Sequence, residues 1–280
     1  MGLGGHLMWT AVAREIVKNS GVEKVFAHKK INSNHVYVGG EVFRNNPYFF
    51  NPHVDPHDTK IELMCLNNKD VHYCYDETPL KVKHRDHDHI IKTTCAHYGI
   101  ENPDLKCELY FDEREEKTVE TIIDYYGLKK YLIIEPHSKM SYTVNRAYPF
   151  DKWQSIVDDI KQDVQVVQIG APGSQVLDNV INLVGKTTFR TAAKLMEHAE
   201  LFVSTEGGLV HAATCVDTKS LVVITGYQKE KMVAYPQNIN LNIASHGPCG
   251  MRVECEICKE DAKNHDYKEV SALLLEDLKQ

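Results

Sequence analysis

The stretch ELFVSTEGGLVHAATCVDTKSLVVITG, residues 200–226, decides the fold. Two apolar runs that are typical of buried strands, ELFVS and SLVVITG, flank the segment GLVHAATCV, which is predicted to be a helix. The same alternation extends upstream through KYLIIEP, PFDKWQSIVDDIK, DVQVVQIG and FRTAAKLMEHA. Alternating apolar strands and helices predict a parallel sheet that is covered by helices on both faces.

The first part of the chain continues the α/β pattern less regularly. It opens on a glycine-rich loop, GLGGH, that leads directly into a predicted helix, so the strand that usually begins a doubly wound domain is missing from the pattern. Further predicted strands are VEKVFAHK, HVYVGG, IELMCL and KCELYF, and further predicted helices cover residues 87–98 and 113–127. We predict two Rossmann-like domains with parallel sheets facing a central cleft, residues 1–127 and 128–265, and a closing helix over residues 266–280.

Composition narrows the class of protein. The chain has 280 residues, of which 42% are hydrophobic and 25% charged, as expected for a globular protein with a substantial core. A net charge of −7 disfavours a general nucleic-acid binder. No apolar run reaches the roughly 20 residues of a membrane span, and the start does not resemble a secretion signal. For eight cysteines in such a chain, free thiols and a cytoplasmic location are expected.

The segment between the two apolar runs of residues 200–226 holds the candidate binding site. It lies at the carboxyl end of a predicted strand, where open α/β sheets bind ligands. Gly207 and Gly208 lack Cβ atoms, so a diphosphate can approach the free amides at the start of the helix. Glu206 suits hydroxyl groups of a sugar or ribose better than phosphate. The alternative interpretation of the whole segment is a tight turn followed by a packed histidine. The candidate ligand-binding residues are Thr205, Glu206, Gly207, Gly208, Leu209 and His211.

These segments resemble the donor-binding region of glycosyltransferase family nine, the heptosyltransferase-like enzymes of GT-B fold. The family has an acid, usually Asp, then a small residue, a glycine, two variable positions and a histidine. Glu206, Gly207, Gly208 and His211 match that pattern. Upstream, IIEPHSKMSYTVNRAYPFDKWQSIVDDI resembles the family's preceding strand, loop and helix, with Arg146 near the phosphate-contacting basic residue. The resemblance is strong over residues 130–226 and looser before them.

The resemblance implies an enzyme that moves a sugar, such as heptose, from a nucleotide-diphosphate sugar to an acceptor hydroxyl. It also implies an inverting displacement without a metal or cofactor. ADP-heptose is the family's usual donor, and lipopolysaccharide core, another glycan or a lipid-linked acceptor would fit, with peripheral membrane contact. A sugar-nucleotide epimerase and a non-catalytic nucleotide-sugar-binding protein of the same fold are the alternatives. A nicotinamide dehydrogenase is disfavoured because GLGGHL falls short of G-x-G-x-x-G.

The chain departs from the family at the expected catalytic base. Members usually place an Asp in the first glycine loop, where Gly5 stands here. The neighbouring His6 is the candidate base, since histidine accepts protons near neutral pH, and GLGGH resembles the GTGGH loop of the N-acetylglucosaminyltransferase that makes the lipid-linked peptidoglycan precursor. Gly4 and Gly5 are expected near the acceptor or the phosphate. Alternatively, His6 caps the helix or contacts phosphate, and an Asp or Glu of the first half is the base.

Two segments carry residue types that bind metals. HRDHDH, residues 84–89, contains a D-x-D triplet, but we interpret it as a solvated loop before a helix, because metal-dependent enzymes with that triplet have another fold. HGPCGMRVECEIC, residues 246–258, contains a C-x-x-C pair, and a second closely spaced pair completes a possible zinc site. Free or paired thiols are the favoured interpretation of this segment. The candidate zinc ligands are His246, Cys249, Cys255 and Cys258.

Overall fold

A computed structural model describes residues 2–137 and 139–279 as an α/β protein. In chain order its elements are α1 (Leu3–Ser20), β1 (Lys24–Ile31), β2 (Asn34–Tyr37), β3 (Ile61–Cys65), β4 (Cys74–Thr78), β5 (Lys81–His84), α2 (Ile90–Ala96), α3 (Glu113–Tyr126), β6 (Tyr131–Glu135), α4 (Phe150–Ile160), β7 (Gln165–Gln168), β8 (Ile181–Asn182), α5 (Phe189–Met196), β9 (Leu201–Thr205), α6 (Gly208–Cys215), β10 (Ser220–Ile224), α7 (Glu230–Val233), β11 (Ile239–Asn242), α8 (Glu256–Asn264) and α9 (Tyr267–Asp277).

The second half forms the parallel sheet that the sequence predicts. Six strands lie in the order β11-β10-β9-β6-β7-β8, and all of their pairings are parallel. Successive residues of β9 face opposite sides: Phe202 belongs to one apolar cluster, with α5 and α6, and Val203 to another, with α4 and α9. Because both faces are covered, every strand can be apolar along its whole length. Helix α9 closes the structure by packing on α4.

The first half contains a smaller, mixed sheet. Its three strands lie in the order β2-β1-β3, and β1 pairs with β3 in parallel, as predicted. The pairing of β1 with β2 is antiparallel, so this sheet is not purely parallel. Only Asn32 and Ser33 separate these strands, and Asn32 has a φ of 55°. A connection this short can form only a hairpin, because parallel neighbours need a long crossover.

One predicted strand, KCELYF at residues 106–111, does not form. The segment is extended, but side chains rather than a neighbouring strand satisfy its backbone groups. The Arg14 guanidinium donates to the carbonyl of Lys106, Thr10 Oγ1 accepts from the amide of Glu108, and Arg190 donates to the carbonyl of Tyr110. The segment therefore fastens α1 to α5 instead of extending a sheet, because buried backbone groups need partners of some kind.

The first element of the described chain is helix α1, which starts directly at the glycine-rich loop. Its middle is fully buried, and it packs on α6 of the second half as well as on α2. One apolar cluster therefore joins Leu7 and Trp9 of α1 to Phe202 and Ala212. The predicted boundary between the halves falls at Gly127, which ends α3 in the left-handed conformation, with a φ of 59°. Among the helices of the described residues, none has the length and apolarity that crossing a bilayer requires.

Candidate functional site

A cleft of about 980 Å³ opens at the carboxyl ends of the central strands of the six-stranded sheet. Its walls come from the start of α1, the hairpin β4–β5, the loop after β7 and the segment between β9 and α6. The predicted site residues that line it are Gly4, Gly5, Arg146, Thr205, Glu206, Gly207, Gly208, Leu209 and His211. Residues that are far apart in sequence thus meet where a parallel sheet offers its ligand site.

The starts of helices α1 and α6 meet at this cleft. A Cβ atom on Gly4 would lie 2.9 Å from Gly208 Cα and 3.0 Å from His211 Cδ2, so only glycine allows this approach. Neither helix has a side-chain cap or an acidic residue in its first turn. Two positive helix ends therefore lie side by side with free amide groups, and an anion between them would stabilise both.

Arg146 brings a fixed positive charge to the same cleft. Its Nη2 donates to Gln228 Oε1 at 2.7 Å, and its guanidinium lies 4.5 Å from the centroid of the Tyr227 ring. Its Nε lies 3.3 Å from Glu206 Oε1, which makes an ion pair although no hydrogen bond forms. A planar guanidinium held on one side by an aromatic ring suits bidentate binding of phosphate oxygens.

Glu206 is deeply buried, and neither of its carboxylate oxygens has a hydrogen-bond partner among the described residues. Burial raises the pKa of Glu206 to about 7, although the positive charge of Arg146 acts in the opposite direction. A buried carboxyl beside one guanidinium keeps acceptor positions that the donors of a ligand can fill. Hydroxyl groups of a bound sugar or ribose would do so, as the sequence indicates.

His211 is held in a buried aromatic group one turn into α6. Its Nδ1 lies 2.5 Å from Tyr235 Oη, and the Tyr235 ring also packs edge-on against His89. Burial, together with the charge of Arg146, lowers the pKa of His211 to about 4. The imidazole is therefore neutral near pH 7, and it can offer a hydrogen bond to the cleft but not a positive charge.

His6 lies beside the cleft rather than among its lining residues. It is in the first turn of α1, its ring centroid is 5.6 Å from that of Phe43, and its Nε2 is buried without a partner. Burial, helped by the nearby charge of Lys29, lowers the pKa of His6. The imidazole is therefore neutral near pH 7, as a base must be before it accepts a proton.

Sequence reasoning missed Glu135, which lies at the carboxyl end of β6 and lines the cleft. Burial raises the pKa of Glu135 to about 8. The strand-end argument that selected Glu206 after β9 applies equally to Glu135, because β6 and β9 are neighbours in one parallel sheet. A perturbed carboxyl in a cleft is a candidate for proton transfer.

The cleft is also more basic than the protein as a whole, whose net charge is −7. Five basic side chains line it against three carboxyls, those of Asp76, Glu135 and Glu206. Sequence inspection does not reveal this bias, because the basic residues come from four separate segments. The basic lining residues are Lys29, Lys69, Lys139, Arg146 and Arg252.

The D-x-D segment forms the connection that the sequence predicts. Residues 85–88 turn between β5 and α2, and His89 caps α2 by accepting a hydrogen bond from the amide of Ile91. Asp86 pairs with Lys229 at 2.7 Å, and Asp88 pairs with Lys92 at 3.9 Å. Both carboxylates are thus engaged with lysines rather than directed together at one point.

The four predicted zinc ligands come together. The ligand atoms of His246, Cys249, Cys255 and Cys258 all lie within 4.8 Å of one another, and no other such group of His, Cys, Asp and Glu forms within residues 2–137 and 139–279. All eight cysteines are free thiols.

The fold and the cleft define the class of the protein: two α/β halves that meet at a cleft are the GT-B architecture of glycosyltransferases. The sequence profile of glycosyltransferase family 9 (heptosyltransferase) matches residues 81–260, which is more than half of the chain. The chain therefore belongs to this family and is a glycosyltransferase. A search of curated proteins finds no match.

Solved structures share this fold. A glycosyl transferase family 9 protein from Veillonella parvula is 12% identical with a TM-score of 0.64, over 99% of this chain and 94% of that one. The iron-containing dodecameric glycosyltransferase TibC from enterotoxigenic E. coli is 12% identical with a TM-score of 0.67, over 99% and 74%. The E. coli ADP-heptose LPS heptosyltransferase II is 13% identical with a TM-score of 0.52, over 68% and 62%.

Proposed function

We propose that this glycosyltransferase moves a sugar from a nucleoside-diphosphate sugar to an acceptor hydroxyl, with inversion at the anomeric carbon. The observation that carries the proposal is the meeting of two uncapped helix starts beside Arg146, at the carboxyl ends of a parallel sheet. This arrangement supplies positive charge where a nucleoside diphosphate would lie. The same charge would stabilise the diphosphate as it leaves, so no metal is needed at the leaving group.

ADP-heptose is the donor that we propose. The similar heptosyltransferase II is named for ADP-heptose and for lipopolysaccharide. In this chain Glu206 would accept hydrogen bonds from the hydroxyl groups of the donor, and Arg146 and the amides of Gly208 and Leu209 would bind its diphosphate. The acceptor is a glycan or lipid-linked hydroxyl that enters from the side of the first half.

A thermal-shift series with ADP, UDP, GDP and ADP-heptose tests the donor. We expect the adenine ligands to raise Tm most, because they match the proposed donor. A ligand at a hundredfold excess over its Kd stabilises the folded state by about 2.7 kcal/mol. Transfer to a heptose-acceptor glycan should then invert the anomeric configuration, as read by NMR, at a rate that added Mg²⁺ or Mn²⁺ leaves unchanged. Conversion of the donor without an acceptor would instead identify an epimerase, and binding without any turnover would identify a non-catalytic binding protein.

Two side chains are candidates for the catalytic base in this proposal. His6 is the residue that the sequence selects, and its lowered pKa keeps it neutral. Glu135 is the residue that the structure adds, and unlike His6 it lines the cleft. Their pKa values are displaced in opposite directions, so the pH dependence of kcat/KM, which reports groups of the free enzyme, distinguishes them.

If Glu135 is the base, kcat/KM should rise with pH and reach half its plateau near pH 8, because only the ionised carboxylate accepts a proton. If His6 is the base, the midpoint of the rise should instead lie below 6.5, because burial lowers the pKa of His6. Replacement of the true base, by Glu135→Gln or His6→Ala, should lower kcat by about 100- to 10,000-fold. Donor affinity, measured by thermal shift, should stay nearly unchanged in these variants. A variant that retains the kcat of the wild type would show that the replaced residue is not the catalytic base.

A further inference from the structure

We propose that His246, Cys249, Cys255 and Cys258 bind one four-coordinate transition-metal ion, zinc or iron, and that this centre holds Arg146 in its position at the cleft. The cluster lies in the loop between β11 and α8 and in the first turn of α8, within the single stretch of residues 246–258. The metal assignment stands independently of the proposed function. The effect of this centre on donor binding, by contrast, rests on the proposed function.

Three distances between the ligand atoms fit a tetrahedral metal, and all four atoms lie within 4.8 Å of one another. With metal–sulfur bonds of about 2.3 Å and metal–nitrogen bonds of about 2.0 Å, neighbouring ligands of one metal lie about 3.5–3.8 Å apart. Here His246 Nε2 is 3.6 Å from both Cys255 Sγ and Cys258 Sγ, and Cys258 Sγ is 3.5 Å from Cys249 Sγ. These separations are too long for a disulfide, whose sulfur atoms are about 2.05 Å apart. Three thiolates and an imidazole are the ligand set of structural zinc, and iron accepts the same thiolate geometry.

The orientation of His246 gives independent support. Its Nε2 faces the sulfur atoms, whereas its Nδ1 lies 3.5 Å from Asp261 Oδ2. The amide and hydroxyl of Ser245 both donate to that same carboxylate oxygen, at 2.8 and 3.0 Å, and so fix its place. A carboxylate behind the second nitrogen of a metal-binding histidine is the usual outer contact of such sites, and it sets the tautomer that leaves Nε2 free to bind.

The local backbone favours thiolates at this point. Cys255 is the N-cap residue of α8, and Cys258 lies in the first turn of that nine-residue helix. The positive end of a helix stabilises a thiolate, which is the form that binds metal. All three cysteines are buried, so the four protein ligands would leave no open coordination position. The centre is therefore structural rather than catalytic.

The metal loop is fastened directly to the segment that carries Arg146. Asn145 Nδ2 donates to the carbonyls of Met251 and Val253, each at 2.8 Å, and Asn145 Oδ1 accepts from the amide of Cys255, also at 2.8 Å. The buried side-chain amide of Asn145 thus forms three hydrogen bonds with the backbone of the loop that carries the metal ligands. Because Asn145 is the chain neighbour of Arg146, ordering of this loop by the metal would fix the backbone from which Arg146 projects.

A second connection runs through Tyr227. The amide of Cys249 donates to the carbonyl of Gly226 at 3.0 Å, and the amide of Gly250 donates to that of Tyr227 at 3.2 Å. The Tyr227 ring packs in the same small cluster as the three cysteines, and on its other side it faces the guanidinium of Arg146. Both the backbone and the aromatic support of Arg146 therefore depend on the same loop.

Metal analysis of the purified full-length chain tests the centre without any donor. We expect about one zinc or iron ion per chain, and either metal supports the proposal. Cys258→Ser should lose most of the metal, whereas Cys65→Ser, at a half-exposed thiol outside the cluster, should keep it. Because Cys258→Ser also alters a buried core position, uptake of Co²⁺ by the demetallated wild type provides a second readout, independent of that variant, through its thiolate charge-transfer absorption. A wild type with neither bound metal nor a cobalt–thiolate spectrum would overturn the assignment.

Asn145→Ala tests the connection to the cleft. This variant keeps all four metal ligands, so its metal content should equal that of the wild type, while its affinity for ADP should fall about tenfold through loss of the buried hydrogen bonds. Demetallation of the wild type should weaken ADP binding similarly, and Zn²⁺ should restore it. Unchanged ADP affinity in both cases would overturn the positioning role and leave the metal site intact. If the wild type binds no nucleotide at all, the proposed function has failed instead.

Discussion

Replacing Arg146 with alanine is expected to lower kcat/KM for the donor by about 100- to 1,000-fold, the usual effect of removing one charge-stabilising donor from a transition state. The guanidinium is the basic group that lies directly beside Glu206 and faces the paired helix starts. Its loss removes a bidentate phosphate ligand and also takes away the charge that offsets burial of Glu206. The pKa of Glu206 should then rise above its present value of about 7.

Matched variants separate these effects in steady-state kinetics. Arg146→Lys keeps the charge but loses the planar fork, so it should recover only part of the lost rate. Lys161→Ala removes one positive charge from the same half, at an exposed pair with Asp158, and should leave kcat/KM nearly unchanged. A loss in Arg146→Ala no larger than the loss in Lys161→Ala would contradict the assignment of the leaving-group site.

Replacing Gly4 with alanine is expected to destabilise the protein by about 1–3 kcal/mol, the usual effect of overpacking, and to lower Tm accordingly. The new methyl group would lie 2.9 Å from Gly208 Cα, a backbone atom that cannot move independently of α6. Both helix starts belong to the cleft, so separating them should also weaken ADP binding. Calorimetry and nucleotide titration of the same sample measure the two effects.

The sign of the change in Tm distinguishes the steric contact from the intrinsic effect of alanine in a helix. Without the steric contact, alanine in place of glycine inside a helix would stabilise by about 1 kcal/mol. Gly2→Ala is the matched control in the same loop, because a Cβ atom there meets nothing within 4 Å and its φ of −87° suits alanine. If Gly4→Ala raised Tm, or lowered Tm no more than Gly2→Ala does, then the close approach of α1 and α6 would not exist in solution.

The sequence predicted the four central strands of the six-stranded sheet well because their signals are local, but it did not predict the edge strands β8 and β11. Each central strand is a short apolar run between helices, and β-branched residues on both faces show that helices cover both sides. Capping signals helped in the same way: Asp112 and Glu115 form the capping box that starts α3. The family of the chain followed from one such stretch, in which Glu206, Gly207, Gly208 and His211 stand at fixed spacing.

The candidate site was predicted in part for the same reason. Glu206 and the glycines at the start of α6 line the cleft because strand ends and helix starts place them there, whereas Arg146 was selected through the family resemblance. Glu135 obeys the same rule and was missed only because no motif drew attention to it. His6 shows the limit of the argument: a motif gives its position on α1, but only packing against Phe43 decides that it lies beside the cleft.

By itself the sequence determined the four central strands of the second half, the helices α4, α5, α6 and α9, and the residues at the ends of those strands, but not the edge strands β8 and β11 or the helices α7 and α8. Only the tertiary structure decided that Gly4 meets Gly208, that Arg14 and Thr10 hold KCELYF out of a sheet, and that four ligand atoms gather around one point. The physical reason is the range of the interactions. Periodicity and capping act within one or two turns of chain, whereas close packing and buried hydrogen bonds join residues that the sequence keeps far apart.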